Sequence, residues 1–305
     1  MKIDKIGIVG TGAVGGYFGG KLAKAEFEVV FLSRGETLKV IGKQGLTVNS
    51  LGETFTIKDA VFTENASHLK DCDLILFTVK SYDTKSTIDQ IKKQIKAEAI
   101  ILTPQNGISN DRMLAREFGT KRIIPAFAKI GVGMPKPGYI EHTGLGILSF
   151  GEYDGKKTAR IKSIADLLKR ADIQYELPDD IQAARWRKFI WNSTFNMICL
   201  LTQQPVDIIL DNKRTYDLCV STIKEIEKIA LAEGVDFQGE DVVEKRVELA
   251  RALGHFKPST LEDFEKGKKL EIDIFTGEVM RLSEKQNIAV PINKVLYALL
   301  QGKTA

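Results

Sequence analysis

Residues 6–15 run from a short apolar stretch into a glycine-rich step. Ile6-Gly7-Ile8-Val9 is followed by Gly10-Thr11-Gly12-Ala13-Val14-Gly15, and then by a helical pattern that reaches about Ala25. The spacing G-x-G-x-x-G is weak evidence alone, but between a strand and a helix it is specific. The first glycine permits a tight turn. The second lets a pyrophosphate approach the backbone, and the third lets helix and strand pack closely. The helix start offers N–H groups and the positive end of its dipole to an anion. Gly10, Thr11, Gly12, Ala13, Val14 and Gly15 are therefore expected to hold the phosphates of a dinucleotide.

The alternation of apolar runs and helical patterns continues. Residues 29–32, 74–79 and 100–102 read as strands buried on both faces, and 123–127 and 147–150 as further strands. Strands alternating with helices imply right-handed crossovers and a doubly wound sheet. The character changes near Leu177-Pro178-Asp179-Asp180, where either aspartate can cap a new helix. Residues 181–201, 212–233, 239–253, 261–285 and 293–301 then read as helices. The expected fold is α/β: a Rossmann-type doubly wound sheet over residues 1–179, followed by an all-α domain over 180–305.

Composition narrows the function. The chain has 305 residues, with 44 Lys+Arg against 40 Asp+Glu, a net charge of +4. That excess gives no basic stripe or tail, so no nucleic-acid partner is expected. Cys72, Cys199 and Cys219 form no C-x-x-C pair, and His68, His142 and His255 are far apart, so neither a disulfide framework nor a metal site is expected. The N-terminus reads as strand rather than signal peptide, and no run reaches about 18 apolar residues. A cytoplasmic protein away from any membrane is expected. A homodimer is compatible with this reading, but nothing in the sequence sets the oligomeric state.

The second strand ends in Leu32-Ser33-Arg34-Gly35. An acid at this tip would favour the ribose hydroxyl of NAD. Arg34 stands there instead. Its guanidinium can bond a 2′-phosphate, and Ser33 can add a hydroxyl, so the expected cofactor is NADPH. Glu36 remains as an acid slightly beyond the usual place. Ligands of doubly wound sheets bind at the carboxyl ends of strands. Lys80, after the strand at 74–79, and Asn106, after the strand at 100–102, are thus placed to meet cofactor or substrate. Each also suits an ordinary loop, Asn106-Gly107 being a common turn pair.

The chemistry is concentrated in Trp186-Arg187-Lys188-Phe189-Ile190-Trp191-Asn192-Ser193-Thr194-Phe195-Asn196. On an α-helix Lys188, Asn192 and Asn196 form one polar stripe about 12 Å long. Their neighbours are aromatic or aliphatic, so the helix should be mostly buried and the stripe should line a cleft or find buried partners. Desolvation would lower the lysine pKa, which suits a proton donor near neutral pH. A snorkelling, solvent-facing lysine is the plainer alternative. Later, Lys257-Pro258-Ser259 precedes Glu271-Ile272-Asp273. Read as helix, this stretch places Glu271 and Asp273 on different sides.

Together these residues resemble the ketopantoate reductase family (2-dehydropantoate 2-reductases) over essentially the whole chain. The resemblance rests on Gly10-x-Gly12-x-x-Gly15, Val79-Lys80, Gln105-Asn106-Gly107, Lys188-x-x-x-Asn192-x-x-x-Asn196, Lys257-Pro258-Ser259, Glu271-Ile272-Asp273, Gly277 and the closing Ile288–Asn293 stretch. It implies NADPH-dependent reduction of a small 2-oxo acid, ketopantoate, to pantoate on the way to coenzyme A, with the site in the cleft between two domains. It implies that Lys188 is the general acid and that Glu271 orients substrate or lysine. It further implies that Asn192, Asn196 and Ser259 hold substrate, and that Asn106 and Lys80 lie near nicotinamide and substrate. Two departures touch the substrate region: Gln203-Gln204-Pro205-Val206 after the stripe, and Phe256 where some members carry an asparagine. They keep open a D-2-hydroxyacid dehydrogenase acting on another branched or aromatic 2-oxo acid. A non-catalytic NADPH-binding regulator is the alternative of another class, and Lys188 with Glu271 speaks against it.

Overall fold

The computed structural model describes residues 2–304. Contacts divide them into two units, one of residues 2–106 and 110–181, the other of 107–109 and 182–304.

The first unit is built on strands β1 (Lys5–Val9), β2 (Glu28–Leu32), β3 (Leu46–Ser50), β4 (Glu53–Ile57), β5 (Val61–Thr63), β6 (Leu74–Phe77), β7 (Ile100–Thr103), β8 (Ile123–Lys136), β9 (Tyr139–Phe150) and β10 (Tyr175–Glu176). Between them run α1 (Ala13–Lys24), α2 (Gly35–Gln44), α3 (Thr84–Ile91), α4 (Asn110–Phe118) and α5 (Ala159–Arg170). The sheet order is β4-β3-β9-β8-β7-β6-β1-β2-β5, and β10 pairs with β9. From β5 to β8 all neighbours are parallel. The order reverses beside β1, between β2 and β6, and such a switch point is where doubly wound sheets bind ligands.

Side chains explain the parallel core. In β6, Leu74 and Leu76 join one hydrophobic cluster with Ile6, Ile8 and Phe31, while Ile75 and Phe77 join a second with Val9, Val30 and Ile101. Successive residues of a strand point to opposite faces, so a strand covered on both sides must be apolar throughout. At ~25 cal/mol per Å² of apolar area removed from water, such runs dominate the stability of the unit.

The sheet also extends beyond the strands expected from sequence. β8 and β9 form a long antiparallel hairpin with register shifts near Ile130, Val132 and Lys136. β3 and β4 form another, turned by Leu51 and Gly52, both at positive φ (52° and 93°), as a two-residue primed turn requires.

The second unit is helical: α6 (Ile181–Trp191), a π-helical segment (Asn192–Asn196), α7 (Met197–Thr202), α8 (Val206–Asp211), α9 (Lys213–Ala232), α10 (Val242–Ala252), α11 (Ser259–Glu265), α12 (Thr276–Gln286) and α13 (Pro291–Thr304). The helix read over residues 261–285 is instead two helices. Gly267, at φ +64°, ends the first after Glu265, and a 3-10 turn, Ile272–Ile274, precedes the second. Glu271 and Asp273 are therefore not on the faces of an α-helix. The long α9 is capped by Asn212, whose side chain accepts from the N–H groups of Arg214 and Thr215 at 2.9 and 3.4 Å. It packs against α8, α10, α12 and α13. Buried Glu225 of α9 accepts the N–H groups of Ile292 (3.0 Å) and Asn293 (2.9 Å), which pins the start of α13. No helix among the described residues is long and apolar enough to cross a membrane.

Candidate functional site

In the first unit the glycine turn follows β1 directly. Gly10 has φ +99°, a conformation that L side chains rarely adopt, and a Cβ there would lie 2.8 Å from the Val79 nitrogen. A Cβ on Gly15 would lie 2.2 Å from the Gly10 carbonyl oxygen and 2.4 Å from Thr78 Oγ1. The turn and the start of α1 can approach this closely only without those side chains. At Gly12 an added Cβ would meet nothing within 4 Å. Gly12 is also the N-cap of α1, with no side chain capping it among the described residues. The space beside Gly12 is therefore open, and the first N–H groups of an α-helix have no partner within the helix itself. This arrangement fits the pyrophosphate of a dinucleotide, an anion that backbone N–H groups and a helix dipole attract.

The turn is tied down on both sides. The Gly10 N–H and the Thr11 hydroxyl donate to the Leu32 carbonyl at 3.2 and 3.3 Å, at the end of β2. The Thr78 hydroxyl donates to the Gly10 carbonyl at 2.7 Å, just past the end of β6. Ser33 is buried, and its N–H donates to the Thr63 carbonyl. Arg34 is exposed and pairs with Asp83, Nη2 to Oδ2, at 2.7 Å. Lys80 is exposed and Asn106 half-buried, in the loops after β6 and β7. The expected cofactor residues thus gather at the carboxyl ends of four adjacent strands, β2, β1, β6 and β7.

Gln105, a positioning residue not singled out from its chemistry alone, joins two of these loops. Its Nε2 donates to the Val79 carbonyl (2.8 Å) and to Thr84 Oγ1 (2.9 Å), and its Oε1 accepts from the Thr103 hydroxyl (3.0 Å). Asn110 continues the network, its Nδ2 donating to the Asn106 carbonyl at 3.0 Å.

In the second unit the polar stripe lies where α6 passes into the π-helical segment. Lys188 is half-buried, and its neighbours in the chain Trp186, Phe189 and Ile190 are all at most 1% exposed. Asn192 is 7% and Asn196 3% exposed. The even α-helical stripe expected from sequence is altered within residues 192–196, because i→i+5 pairing widens the turn there. Single π turns inside α-helices recur at functional sites. The same segment holds several polar atoms that are buried and without a hydrogen-bond partner among the described residues: Ser193 Oγ, Thr194 Oγ1, Asn196 Oδ1 and the adjoining Trp191 Nε1. Buried polar groups are normally paired, so orphans call for a ligand or water.

Asn196 is oriented by a residue outside the expected set. Its Nδ2 donates to Thr260 Oγ1 at 3.2 Å, which leaves Oδ1 as the unpaired atom. Thr260 follows Ser259, the first residue of α11, so the structure brings the serine's helix to the asparagine. Ser259 itself is exposed. Glu271 is half-buried and immediately precedes the Ile272–Ile274 turn, which packs on α12. Phe256 is 38% exposed, with its ring 6.1 Å from that of Trp191.

Comparison with known proteins agrees with this anatomy. Residues 6–155 match the family model described as Ketopantoate reductase PanE/ApbA, and residues 180–304 match Ketopantoate reductase PanE/ApbA C terminal. The chain is 31% identical over 303 residues to the 2-dehydropantoate 2-reductase of Pyrococcus abyssi, spanning 99% of this chain and 98% of that protein. It is similar in structure to the 2-dehydropantoate 2-reductase of Geobacter metallireducens, with TM-score 0.90 and 32% identity over 98% of this chain and 100% of that one. A D-mandelate dehydrogenase bound to NADH and anilino(oxo)acetate shares the fold, with TM-score 0.89 at 24% identity, covering 98% of each chain. Both halves of the chain, the glycine cradle and the helical unit with its lysine–asparagine run, match one lineage: the chain belongs to the ketopantoate reductase family.

Proposed function

We propose that the protein reduces ketopantoate to pantoate with NADPH. The observation that carries this reading is the buried Asn196 Oδ1, left without a partner among the described residues while its amide is held by Thr260. A buried acceptor of this kind suits a hydroxylated substrate, whose O–H would pair with it. Asn192 and Ser259 are assigned further contacts to the substrate hydroxyl and carboxylate groups.

When bound, the nicotinamide supplies a hydride to the carbonyl carbon. The protein's part is placement and proton supply. The Lys188 ammonium stabilises negative charge as it develops on the carbonyl oxygen and then donates a proton to that oxygen. Glu271 orients the lysine or the substrate. Gly10, Thr11, Gly12, Ala13, Val14 and Gly15 hold the pyrophosphate, Ser33 and Arg34 the 2′-phosphate. Lys80 and Asn106 lie toward the nicotinamide.

One observation favours a second reading. The Trp191 and Phe256 rings make an aromatic surface near the stripe, which suits an aromatic 2-oxo acid and thus a D-2-hydroxyacid dehydrogenase of the same family. The two readings separate in one assay. NADPH and NADH oxidation is followed by absorbance with ketopantoate, 2-oxoisovalerate and phenylglyoxylate. The first reading expects the highest kcat/KM for ketopantoate with NADPH. A tenfold advantage for phenylglyoxylate, about 1.4 kcal/mol of transition-state discrimination, would replace it with the second.

A further inference from the structure

We propose that Asp83 sets how strongly this chain prefers a 2′-phosphorylated nicotinamide cofactor over an unphosphorylated one. The inference rests on the reading that Arg34 meets the 2′-phosphate. Arg34 stands two residues past the end of β2. Asp83 ends the short 3-10 turn Ser81–Asp83 beyond β6. These strands flank β1, and the glycine turn after β1 is hydrogen-bonded to the ends of both, through Leu32 and Thr78. The Arg34–Asp83 pair, at 2.7 Å, therefore joins the two loops on either side of the pyrophosphate cradle.

The pair is asymmetric. The Arg34 side chain is 74% exposed and that of Asp83 only 25%. Asp83 is the N-cap of α3, yet its side chain makes no capping bond among the described residues; its carboxylate turns to Arg34 instead. Its backbone is fixed, because its N–H donates to the Lys80 carbonyl at 2.9 Å and its carbonyl accepts from the Ser86 hydroxyl at 3.0 Å.

The chemistry then follows from charge. A phosphate monoester carries about −1.5 to −2 near pH 7. Placed on Arg34, it comes within a few ångströms of a fixed carboxylate that repels it. The ribose hydroxyl of an unphosphorylated cofactor meets no such penalty, and it can donate to the same carboxylate. Arg34 and Asp83 thus pull the preference in opposite directions. Asp83→Asn keeps the side-chain size and an acceptor for Arg34, and it removes the repulsion.

The test is a binding titration of the full chain, followed by fluorescence, with NADPH and separately with NADH. Wild type, Asp83→Asn, Asp83→Ser and Arg34→Ala are compared. Both Asp83 variants are expected to shift the ratio of the two dissociation constants toward NADPH by about fivefold or more. A thermal melt of each variant, compared with wild type, shows independently that it is folded. A ratio that stays put or moves toward NADH in both Asp83 variants would overturn the proposal. Arg34→Ala keeps the underlying reading separate. Selective loss of NADPH there, with an unmoved Asp83→Asn ratio, would overturn the proposal alone. Equal loss of both cofactors there would overturn the reading and the proposal together.

Discussion

The glycine turn of the first unit and the π-helical segment of the second are built in opposite ways. The turn works through missing side chains. Gly10 and Gly15 allow backbone contacts that a Cβ would block, and Gly12 leaves open space. Its neighbours are paired, with Thr78, Thr11 and the Gly10 N–H each tied to a backbone carbonyl. The π segment works through side chains that are present, buried and incompletely paired, with Asn196 Oδ1 the clearest case. One region leaves open space beside backbone N–H groups, as an anion site needs. The other holds buried polar side-chain atoms without partners among the described residues, as a ligand site would. Damage to the first should appear in folding or cofactor affinity, and damage to the second in substrate affinity and turnover.

Substitutions at the two glycines probe the first half of that contrast. Gly15→Ala forces a Cβ against the Gly10 carbonyl and is expected to destabilise the first unit by about 3 kcal/mol, read as a lower denaturation midpoint. Gly12→Ala meets no protein atom, so its midpoint should stay within about 0.5 kcal/mol of wild type. Its NADPH affinity should nonetheless fall about tenfold, roughly 1.4 kcal/mol, because the methyl group occupies the approach of the pyrophosphate. If Gly12→Ala bound NADPH normally, the cradle would not be the phosphate site.

A smaller effect is expected in the second region. Thr260→Val removes the hydroxyl that holds the Asn196 amide and should raise KM for the 2-oxo acid about fivefold, with NADPH affinity unchanged. Thr260→Ser should restore KM. An unchanged KM in the valine variant would show that the amide needs no such support.

The smallest effect sharpens the contrast by showing a polar cluster that is fully paired. His142, 3% exposed, lies with Nδ1 2.8 Å from Ser50 Oγ and Nε2 3.1 Å from the Gly144 carbonyl. Burial holds its imidazole below the ordinary histidine value, against backbone hydrogen bonds that raise it. A histidine kept neutral in the fold binds more protons when unfolded. Its contribution is complete above about pH 6.5 and is lost as the pH falls through the lowered folded value. Stability should therefore drop from pH 7 to pH 5. His142→Phe should flatten that slope. An equal slope in the variant would remove His142 from this role.

The parallel sheet was legible because double-sided burial leaves a plain trace, such as Leu74-Ile75-Leu76-Phe77, with alternate residues in two clusters. The added strands were harder. β3 and β4 carry the alternation Thr47-Val48-Asn49 and Thr54-Phe55-Thr56, but β4 is largely exposed, and the turn uses Leu51 in place of the usual asparagine. The outer part of β8 contains Gly131, Gly133 and Pro135, residues that weaken a strand signal. In the candidate site, the polar run Lys188, Asn192 and Asn196 could be picked out of the sequence, and the local helix geometry could not. Spacing alone does not distinguish an α-helical turn from a π turn, whose energy depends on packing from other elements. Thr260 was hidden for a related reason, since its partner lies 64 residues away in the chain.

The most direct test of the whole account is Lys188→Ala, measured for NADPH binding by fluorescence and for ketopantoate-dependent NADPH oxidation by absorbance. With Lys188 as the proton donor, kcat should fall at least about a hundredfold while the NADPH dissociation constant stays within about twofold. Turnover close to wild type in a folded, NADPH-binding variant would contradict the account.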